Sequence, residues 1–321
     1  MKKQSFNTIF AIVLSSFIFV SCNNDDDNGP QGPNADTFTS LSALIDDLKP
    51  DTQTFELDPT TGGTITGEDG TIIEIDPNAF TDDNDDPITT PITVKLKEYL
   101  TVKDMFMGNV QTLSNGQLLV TGGSFDLTFE DQNGNAVNIS PWDVQSRIPV
   151  QTNIPAEYEN IMQYFVGDVT TDDGKEVVNW TQGQAEFWMD EEGFFNTLGV
   201  EQGLSNCDVL YNMVGETPTQ FEVSVTGVTD YSQATVWMFI EDFPSIVMIT
   251  SLNDTEDALE TYANSIPTGL NATLVAMTVD EDSYLKFGSL AITVAGDDTF
   301  NVDVDYGTTE ELSALIDSIV N

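Results

Sequence analysis

The sequence predicts a mainly β protein, built from tandem β-sandwich modules with short flanking helices. Hydrophobic residues make up 40% of the 321 residues and 31 are aromatic, which is enough for a large core. The 38 Thr and 27 Val favour strands over helices. Apolar and polar residues alternate in many short segments that end in turn residues, as expected for half-buried strands.

The first 21 residues predict a signal peptide. Lys2 and Lys3 precede an apolar run at residues 9–20, which is too short to span a bilayer as a helix. The run ends at Ser21-Cys22, and this segment resembles a bacterial lipobox. The resemblance implies a diacylglycerol thioether on Cys22 and anchoring in the lipid of the bacterial outer membrane. The alternative is an ordinary secretory signal that is cleaved elsewhere.

An acidic segment follows Cys22. Asp25, Asp26 and Asp27 resemble the export signal of Bacteroidetes surface lipoproteins, which implies a protein facing the exterior. The alternative is a solvated spacer. Residues 22–37 contain two Gly-Pro steps and predict an acidic, flexible tether.

Residues 38–153 predict a β domain with a leading helix. Leu41, Leu44 and Ile45 give that helix an apolar stripe. Strand patterns follow at residues 63–66, 71–75, 91–98 and 124–129. The Asn133-Gly134 step then predicts a hairpin.

Several short motifs in this domain occur together in a known module. They are Gly62-Gly63-Thr64-Ile65, residues 70–75, Pro77-Asn78-Ala79-Phe80 and residues 119–123. Through them the domain resembles a ZU-type β domain of Bacteroidetes (flavobacterial) cell-surface lipoproteins. Asn179-Trp180, residues 203–208 and Pro267-Thr268-Gly269 are similar to the companion region of the same lipoproteins. The resemblance implies an interaction module in the cell envelope, without assigned chemistry.

Residues 154–218 predict an irregular middle region that contains Trp. Trp180, Trp188 and Tyr164 lie there and are candidates for stacking on sugar rings in a groove. The alternative is that these aromatic residues belong to the core, as Trp more often does in a sandwich.

Residues 219–321 predict a second sandwich, resembling Ig or fibronectin modules, with a C-terminal helix. Phe221, Val223 and Val225 alternate with polar residues, and further strand patterns follow at short intervals. A capping box at residues 308–311 begins the helix. Residues 41–46 and 312–317 share the sequence Leu-Ser-Ala-Leu-Ile-Asp, and we interpret this as two helices that each cover their own domain.

The charge and the missing residue types exclude several function classes. The formal net charge is −45, and loss of Lys2 and Lys3 with the signal peptide makes it −47, so nucleic acid is not an expected partner. The absence of His excludes a Ser-His-Asp triad, a Cys-His dyad and a His-ligated zinc. No phosphate-binding loop or nucleophile elbow is found. We therefore expect no enzymatic activity and no organic cofactor.

Dense acidic residues make Ca²⁺ the one candidate cofactor. Carboxylate oxygens are the ligands that Ca²⁺ prefers, although none of the runs has EF-hand spacing. The alternative is that these acids are solvated turn residues. The candidate ligands are Asp82, Asp83, Asp85, Asp86, Asp297, Asp298, Asp303 and Asp305.

These observations predict a non-enzymatic, lipid-anchored cell-surface protein that acts in binding, adhesion or structural interaction. Its expected partners are outer-membrane lipid and an unidentified surface protein or glycan. The alternative function is a glycan-binding or glycan-degrading accessory lipoprotein, which the Trp-containing middle region and the many carboxylates favour.

Overall fold

Strands make up 47% of the structure and helices 13%, which confirms the predicted mainly β class. The computed structural model describes residues 33–82, 84–151 and 153–320. Its first elements are α1 (Leu41–Leu48), β1 (Gln53–Leu57), β2 (Gly63–Thr66), β3 (Ile72–Ile75), β4 (Phe80–Thr81), β5 (Ile92–Tyr99), α2 (Val102–Met107), β6 (Leu113–Ser114), β7 (Gln117–Glu130), β8 (Asn138–Ile139), β9 (Val144–Pro149), α3 (Ala156–Glu159), β10 (Gln163–Asp172), β11 (Lys175–Gln182), β12 (Glu186–Met189), β13 (Phe194–Leu198) and β14 (Gly203–Leu210).

The remaining elements are mostly strands and end in a 12-residue helix. They are β15 (Pro218–Thr219), β16 (Glu222–Val225), β17 (Ala234–Ile240), β18 (Ile246–Ile249), β19 (Ser251–Leu252), β20 (Leu259–Glu260), β21 (Ile266–Pro267), β22 (Asn271–Val279), β23 (Leu285–Thr293), β24 (Thr299–Val302), β25 (Asp305–Tyr306) and α4 (Thr309–Val320). Short 3₁₀ turns lie at Pro141–Asp143 and Tyr231–Gln233.

Two antiparallel sheets form the first sandwich. Sheet A has the order β1-β5-β7-β14-β10-β11, with β6 paired to β7, and sheet B has the order β12-β13-β9-β3-β2. Val94 and Leu96 of sheet A are fully buried in one core cluster with Ile73 and Phe195 of sheet B. The period-two alternation of β5 is the reason, because it turns every second side chain toward the facing sheet.

A second pair of sheets forms the second sandwich. Sheet C has the order β18-β17-β22-β23-β25, and sheet D has the order β19-β20-β16-β24, with β16 and β24 parallel. Val223 of sheet D and Leu274 of sheet C are fully buried in a shared core. The structure thus supports two sandwiches, while their assignment to ZU-like and Ig-like modules stays a prediction.

The middle region differs from the irregular structure that the sequence predicts. Residues 154–218 contain β10 to β14, which complete both sheets of the first sandwich. Tyr164 and Phe165 are neighbours on β10, and both are buried. Because these two neighbours point to opposite faces and both are covered, the sequence there lacks the alternation that reveals a strand.

Helices α1, α2 and α4 lie in a layer that joins the two sandwiches. Their buried side chains share one apolar cluster with Trp180 of the first sandwich and Trp237 of the second. Phe106 of α2 packs edge-on against Trp237, with ring centroids 5.5 Å apart. Gln111 donates a hydrogen bond to the Val178 carbonyl and accepts one from the Met248 amide. Residues 34–321 accordingly form one compact unit.

The N-terminal segment joins the second sandwich. Asp36 accepts hydrogen bonds from the amide and hydroxyl of Thr309, and Thr37 forms a bridge with Tyr284. Helix α1 contacts β22 of the second sandwich. The last residues of the predicted tether therefore pack on the second sandwich, and so does the leading helix, which the sequence assigns to the first domain.

Candidate functional site

The predicted anchoring and export residues lie outside the described part of the chain. Cys22, Asp25, Asp26 and Asp27 precede residue 33, so lipidation and export stay predictions. In the described ranges, no helix is long and apolar enough to cross a membrane. Cys207 is the free cysteine within those ranges, and it is buried in the core of the first sandwich.

Asp82, Asn84 and Asp86, in the acidic run at residues 82–86, are joined by hydrogen bonds. The Asp82 carboxylate accepts hydrogen bonds from the amides of Asn84 and Asp86, and Asp85 has a φ of 63°. The first of these bonds is the main reason that the pKa of Asp82 is lowered. The Asp82 carboxylate is thus engaged in closing the turn, which agrees with the alternative that the acids are turn residues; Asp83 lies outside the described residues.

The same turn recurs at three other acidic sites. Its first Asp accepts hydrogen bonds from the amides two and four residues later, and the fourth residue has a positive φ. The Asp acceptors are Asp131, Asp190 and Asp280, and the left-handed residues are Gly134, Gly193 and Ser283. The spacing Asp-x-x-Gly in two of these turns is a sequence signal that could have identified them.

The second group of predicted calcium ligands is divided by a strand. Asp297 lies before β24 and accepts a hydrogen bond from the Thr219 hydroxyl, whereas Asp303 lies after it and accepts one from the Thr226 hydroxyl. Asp298 also precedes β24, and Asp305 belongs to β25. Because an extended strand holds its two ends apart, β24 separates the two acids that precede it from the two that follow it. Across the described residues, no group of three or more Asp, Glu or Cys is arranged to hold a metal ion.

Two of the three predicted stacking residues are core residues. Trp180 is 0% exposed, and its indole nitrogen donates a hydrogen bond to the Gln111 carbonyl. Tyr164 is 2% exposed, lies 3.0 Å from the Ser205 hydroxyl, and burial raises its pKa to about 12. The prediction that these rings stack on a ligand is wrong, since neither presents a face to solvent.

Trp188 is the predicted stacking residue that is exposed. It lies on β12, at the edge of sheet B, and 40% of it is exposed. Its neighbour Phe187 points into the sandwich and stacks on Phe195, with ring centroids 5.7 Å apart. Because successive residues of a strand point to opposite faces, Trp188 belongs to the outer face of sheet B.

Trp142 lies near the same edge of sheet B, beside β13, and was not predicted from sequence. It belongs to the turn Pro141–Asp143 that leads into β9, and 52% of it is exposed. Its ring covers Gly199: a Cβ added there would lie 3.3 Å from two ring atoms and 3.5 Å from the Cα of Ala185. Gly199 also has a φ of 102°, which favours glycine. We call Trp188 and the outward residues of sheet B, together with the adjoining Trp142, the Trp face.

A network of hydrogen bonds fixes the middle of the Trp face. Arg147 lies 2.9 Å from Asp190 and 2.7 Å from Glu192, and its guanidinium covers the ring of Phe194 at 4.5 Å. Asn196 donates a hydrogen bond to Asp190, and this bond is the main reason that the pKa of Asp190 is lowered to about 2. These contacts fix the positions of the Arg147, Asp190 and Asn196 side chains relative to one another.

The polar residues bordering the Trp face are acidic. Glu74 and Glu186 point outward from sheet B, and Glu191 and Glu192 lie in the turn between β12 and β13; all four are exposed. The outward Ile72 and Leu198 are half-buried and add apolar surface between them. Such a surface combines aromatic stacking with hydrogen-bond acceptors.

No protein-family model matches this chain, and no curated protein is significantly similar to it.

Proposed function

We propose that this protein is a non-enzymatic binding module, anchored by a lipid on Cys22 in the bacterial outer membrane and facing the exterior. The observation that carries the binding role is the Trp face, where the rings of Trp142 and Trp188 are 52% and 40% exposed near one edge of sheet B. Contiguous apolar patches on a soluble surface mark interaction sites more often than single exposed residues do. The lipobox-like Ser21-Cys22 and the acidic run after it support the location.

The lack of His and of recognisable nucleophile motifs in the sequence supports a non-enzymatic role. Cys207 is a poor nucleophile, because full burial strongly raises the pKa of its thiol. The acidic residues of the recurrent turns are occupied by amide hydrogen bonds, which leaves those carboxylates without the proton-transfer geometry of a glycosidase pair.

The anchor is tested with matched cysteine variants of the full chain in its own host. We expect Cys22→Ala to abolish incorporation of labelled palmitate and membrane partitioning, whereas Cys207→Ala keeps both. If the Cys22→Ala chain still partitions with membranes and carries the label, the proposed lipid anchor is wrong.

The outward orientation is tested on intact cells. Antibody labelling and loss of the protein after brief protease treatment are expected without permeabilisation. Labelling only after permeabilisation would place the protein on the inner side of the membrane.

A further inference from the structure

A cavity of about 320 Å³ lies between the outer face of sheet A and the C-terminal ends of α1 and α2. Its floor is a row of direct partners on neighbouring strands: Lys97 of β5, Asp126 of β7, Leu204 of β14 and Gly167 of β10. Direct partners in an antiparallel sheet share one face, and Leu204 packs in the apolar cluster of the helices. The row therefore lies on the face of sheet A that the helices cover.

The walls of the cavity are mostly apolar. Tyr99, Val110 and Val178 line it, and all three side chains are buried. Asn109 follows α2 and also lines the cavity; it is 7% exposed, and its Oδ1 is buried without a hydrogen-bond partner among the described residues. A cavity of this size, with apolar walls and a few polar groups, is typical of a site for a small molecule.

Lys97 and Asp126 have opposite charges and lie directly opposite each other, yet they do not form an ion pair. Across the described ranges, neither side chain has a hydrogen bond or a salt bridge within 4.0 Å. Both residues are half-buried. Burial raises the pKa of the Asp126 carboxyl, and the charge of Lys97 partly opposes this shift. Because both charges are partly removed from water, a ligand that supplies the missing partners would be bound favourably.

The charges that line the cavity are balanced, unlike those of the whole chain. The chain has 54 acids and 9 bases, whereas the cavity is lined by Lys49 and Lys97 and by Asp126 and Glu176. Lys49 already lies 2.8 Å from Asp46, and the side chain of Glu176 is 67% exposed. Lys97 and Asp126 are therefore the two charges available to a ligand. Asp126 opposes a purely anionic ligand and Lys97 a purely cationic one, so a zwitterion fits best.

We infer that this cavity binds a free α-amino acid with an aliphatic side chain, whose carboxylate bonds to the Lys97 ammonium and whose ammonium bonds to the Asp126 carboxylate. An α-amino acid carries both charges on one carbon atom, so its two partners must be close together, as direct neighbours in a sheet are. The Oδ1 of Asn109 is an unpaired acceptor in the same wall for a further ammonium N–H. Val110, Val178 and Leu204 supply the apolar contacts for the aliphatic side chain.

This inference goes beyond the proposed function, because the cavity belongs to sheet A and contains neither Trp142 nor Trp188. Isothermal titration calorimetry of the detergent-solubilised full chain tests it with L-leucine, L-isoleucine and L-valine. We expect saturable binding of at least one of them. Two analogues of leucine that each lack one charge, 4-methylpentanoate and isoamylamine, are expected to bind at least tenfold more weakly.

Neutral variants of the two charged residues test their roles. We expect Lys97→Met, which keeps most of the side-chain stem, and Asp126→Asn, which keeps the shape, each to weaken binding at least tenfold. Lys95→Met is the matched control, because Lys95 lies on the same face of β5 but is paired with Glu130 outside the cavity. Asp168→Asn, at an exposed position beside Gly167, is the control for the acid. Both controls are expected to leave the affinity unchanged.

Lysine acetylation of the unaltered chain gives a measurement that does not depend on how the variants fold. The bound amino acid is expected to slow acetylation of Lys97 relative to Lys95, as measured by peptide mass spectrometry. The ratio is used because the free amino acid consumes reagent for both lysines alike. The inference is overturned if none of the three amino acids binds, if either analogue binds as tightly as they do, or if Lys97→Met keeps the affinity of the parent. These outcomes leave the proposed surface role standing, since it depends on other residues.

Discussion

Asp208 is a carboxyl group wholly enclosed by the first sandwich. It lies on β14 at a register shift in the pairing with β7, and the Asn206 side chain donates a 2.7 Å hydrogen bond to it. Burial raises the pKa of Asp208 well above the usual range of a carboxyl group. Because the folded-state pKa exceeds the unfolded one, stability is lost as the pH rises from the unfolded pKa through the folded one.

Replacement of this carboxyl group by a neutral amide is therefore expected to stabilise the protein. We expect Asp208→Asn to raise the free energy of unfolding near pH 8 by about 1–3 kcal/mol, with little effect near pH 3, where the carboxyl is neutral in both states. Denaturant unfolding at the two pH values measures this. A variant less stable than the parent near pH 8 would contradict the expected cost of ionisation.

Asp131 is a control for Asp208, because its pKa is shifted in the opposite direction. The Asn135 side chain is the main reason that the pKa of Asp131 is lowered to about 2. The stabilising contribution of the Asp131 carboxylate is therefore present above the unfolded pKa and is lost as the pH falls through about 2. We expect Asp131→Asn to lower the melting temperature near pH 7 and to lose this effect in strong acid. An equal effect at both pH values would show that charge is not the cause.

The β10–β11 hairpin shows how one element couples the two sandwiches. Asp172 at its end accepts hydrogen bonds from the hydroxyls of Thr250, Ser251 and Tyr262, all in the second sandwich or its loops. Lys175 is buried beside it, and its amine lies 3.4 Å from the Thr250 carbonyl. These contacts give the acids at residues 172–173 a structural role that their sequence alone did not reveal.

We expect Asp172→Ala to destabilise the chain by about 1.5–3 kcal/mol, the usual worth of hydrogen bonds to a charged group. Hydrogen exchange should rise at residues 250–252 as well as in the hairpin, because both sides lose their partner. Asp168→Ala, at an exposed position of the same strand, serves as the control. Equal exchange in the two variants would show that Asp172 does not couple the sandwiches.

Strands with one polar face were predictable, and those without one were not. Residues 91–98 alternate in sequence, and β5 occupies Ile92–Tyr99 with the expected residues buried. In β10, Tyr164 and Phe165 are both buried, so the periodic signal is absent. The same reason explains the candidate stacking residues. No local pattern in the sequence distinguishes Trp188 from Trp180, because the layer that buries Trp180 comes from distant segments of the chain.

The net charge acts on the whole molecule. A chain of −45 repels itself in the compact state, and salt screens this repulsion within a Debye length of about 10 Å at 0.1 M. We expect the melting temperature to rise between about 0.05 M and about 0.5 M NaCl.

A comparison of CaCl₂ with NaCl at matched ionic strength distinguishes charge screening from binding of Ca²⁺ at a specific site. We expect CaCl₂ to raise the melting temperature no more than NaCl does, because the turn acids Asp82, Asp131, Asp190 and Asp280 already accept amide hydrogen bonds. A larger rise that EDTA reverses would establish the calcium site that the sequence predicts, since a ligand of the native state raises its stability.

The sequence by itself determined the mainly β class, the boundaries of strands with one polar face, and the charge that makes nucleic acid an unexpected partner. These properties depend on composition and on local periodicity, which a single chain displays directly. Only the tertiary structure decided that residues 154–218 complete the first sandwich and that α1 packs on the second. It also decided which Trp rings remain in solvent. Those outcomes depend on which distant segments cover which face, and burial between segments far apart in sequence leaves no local pattern.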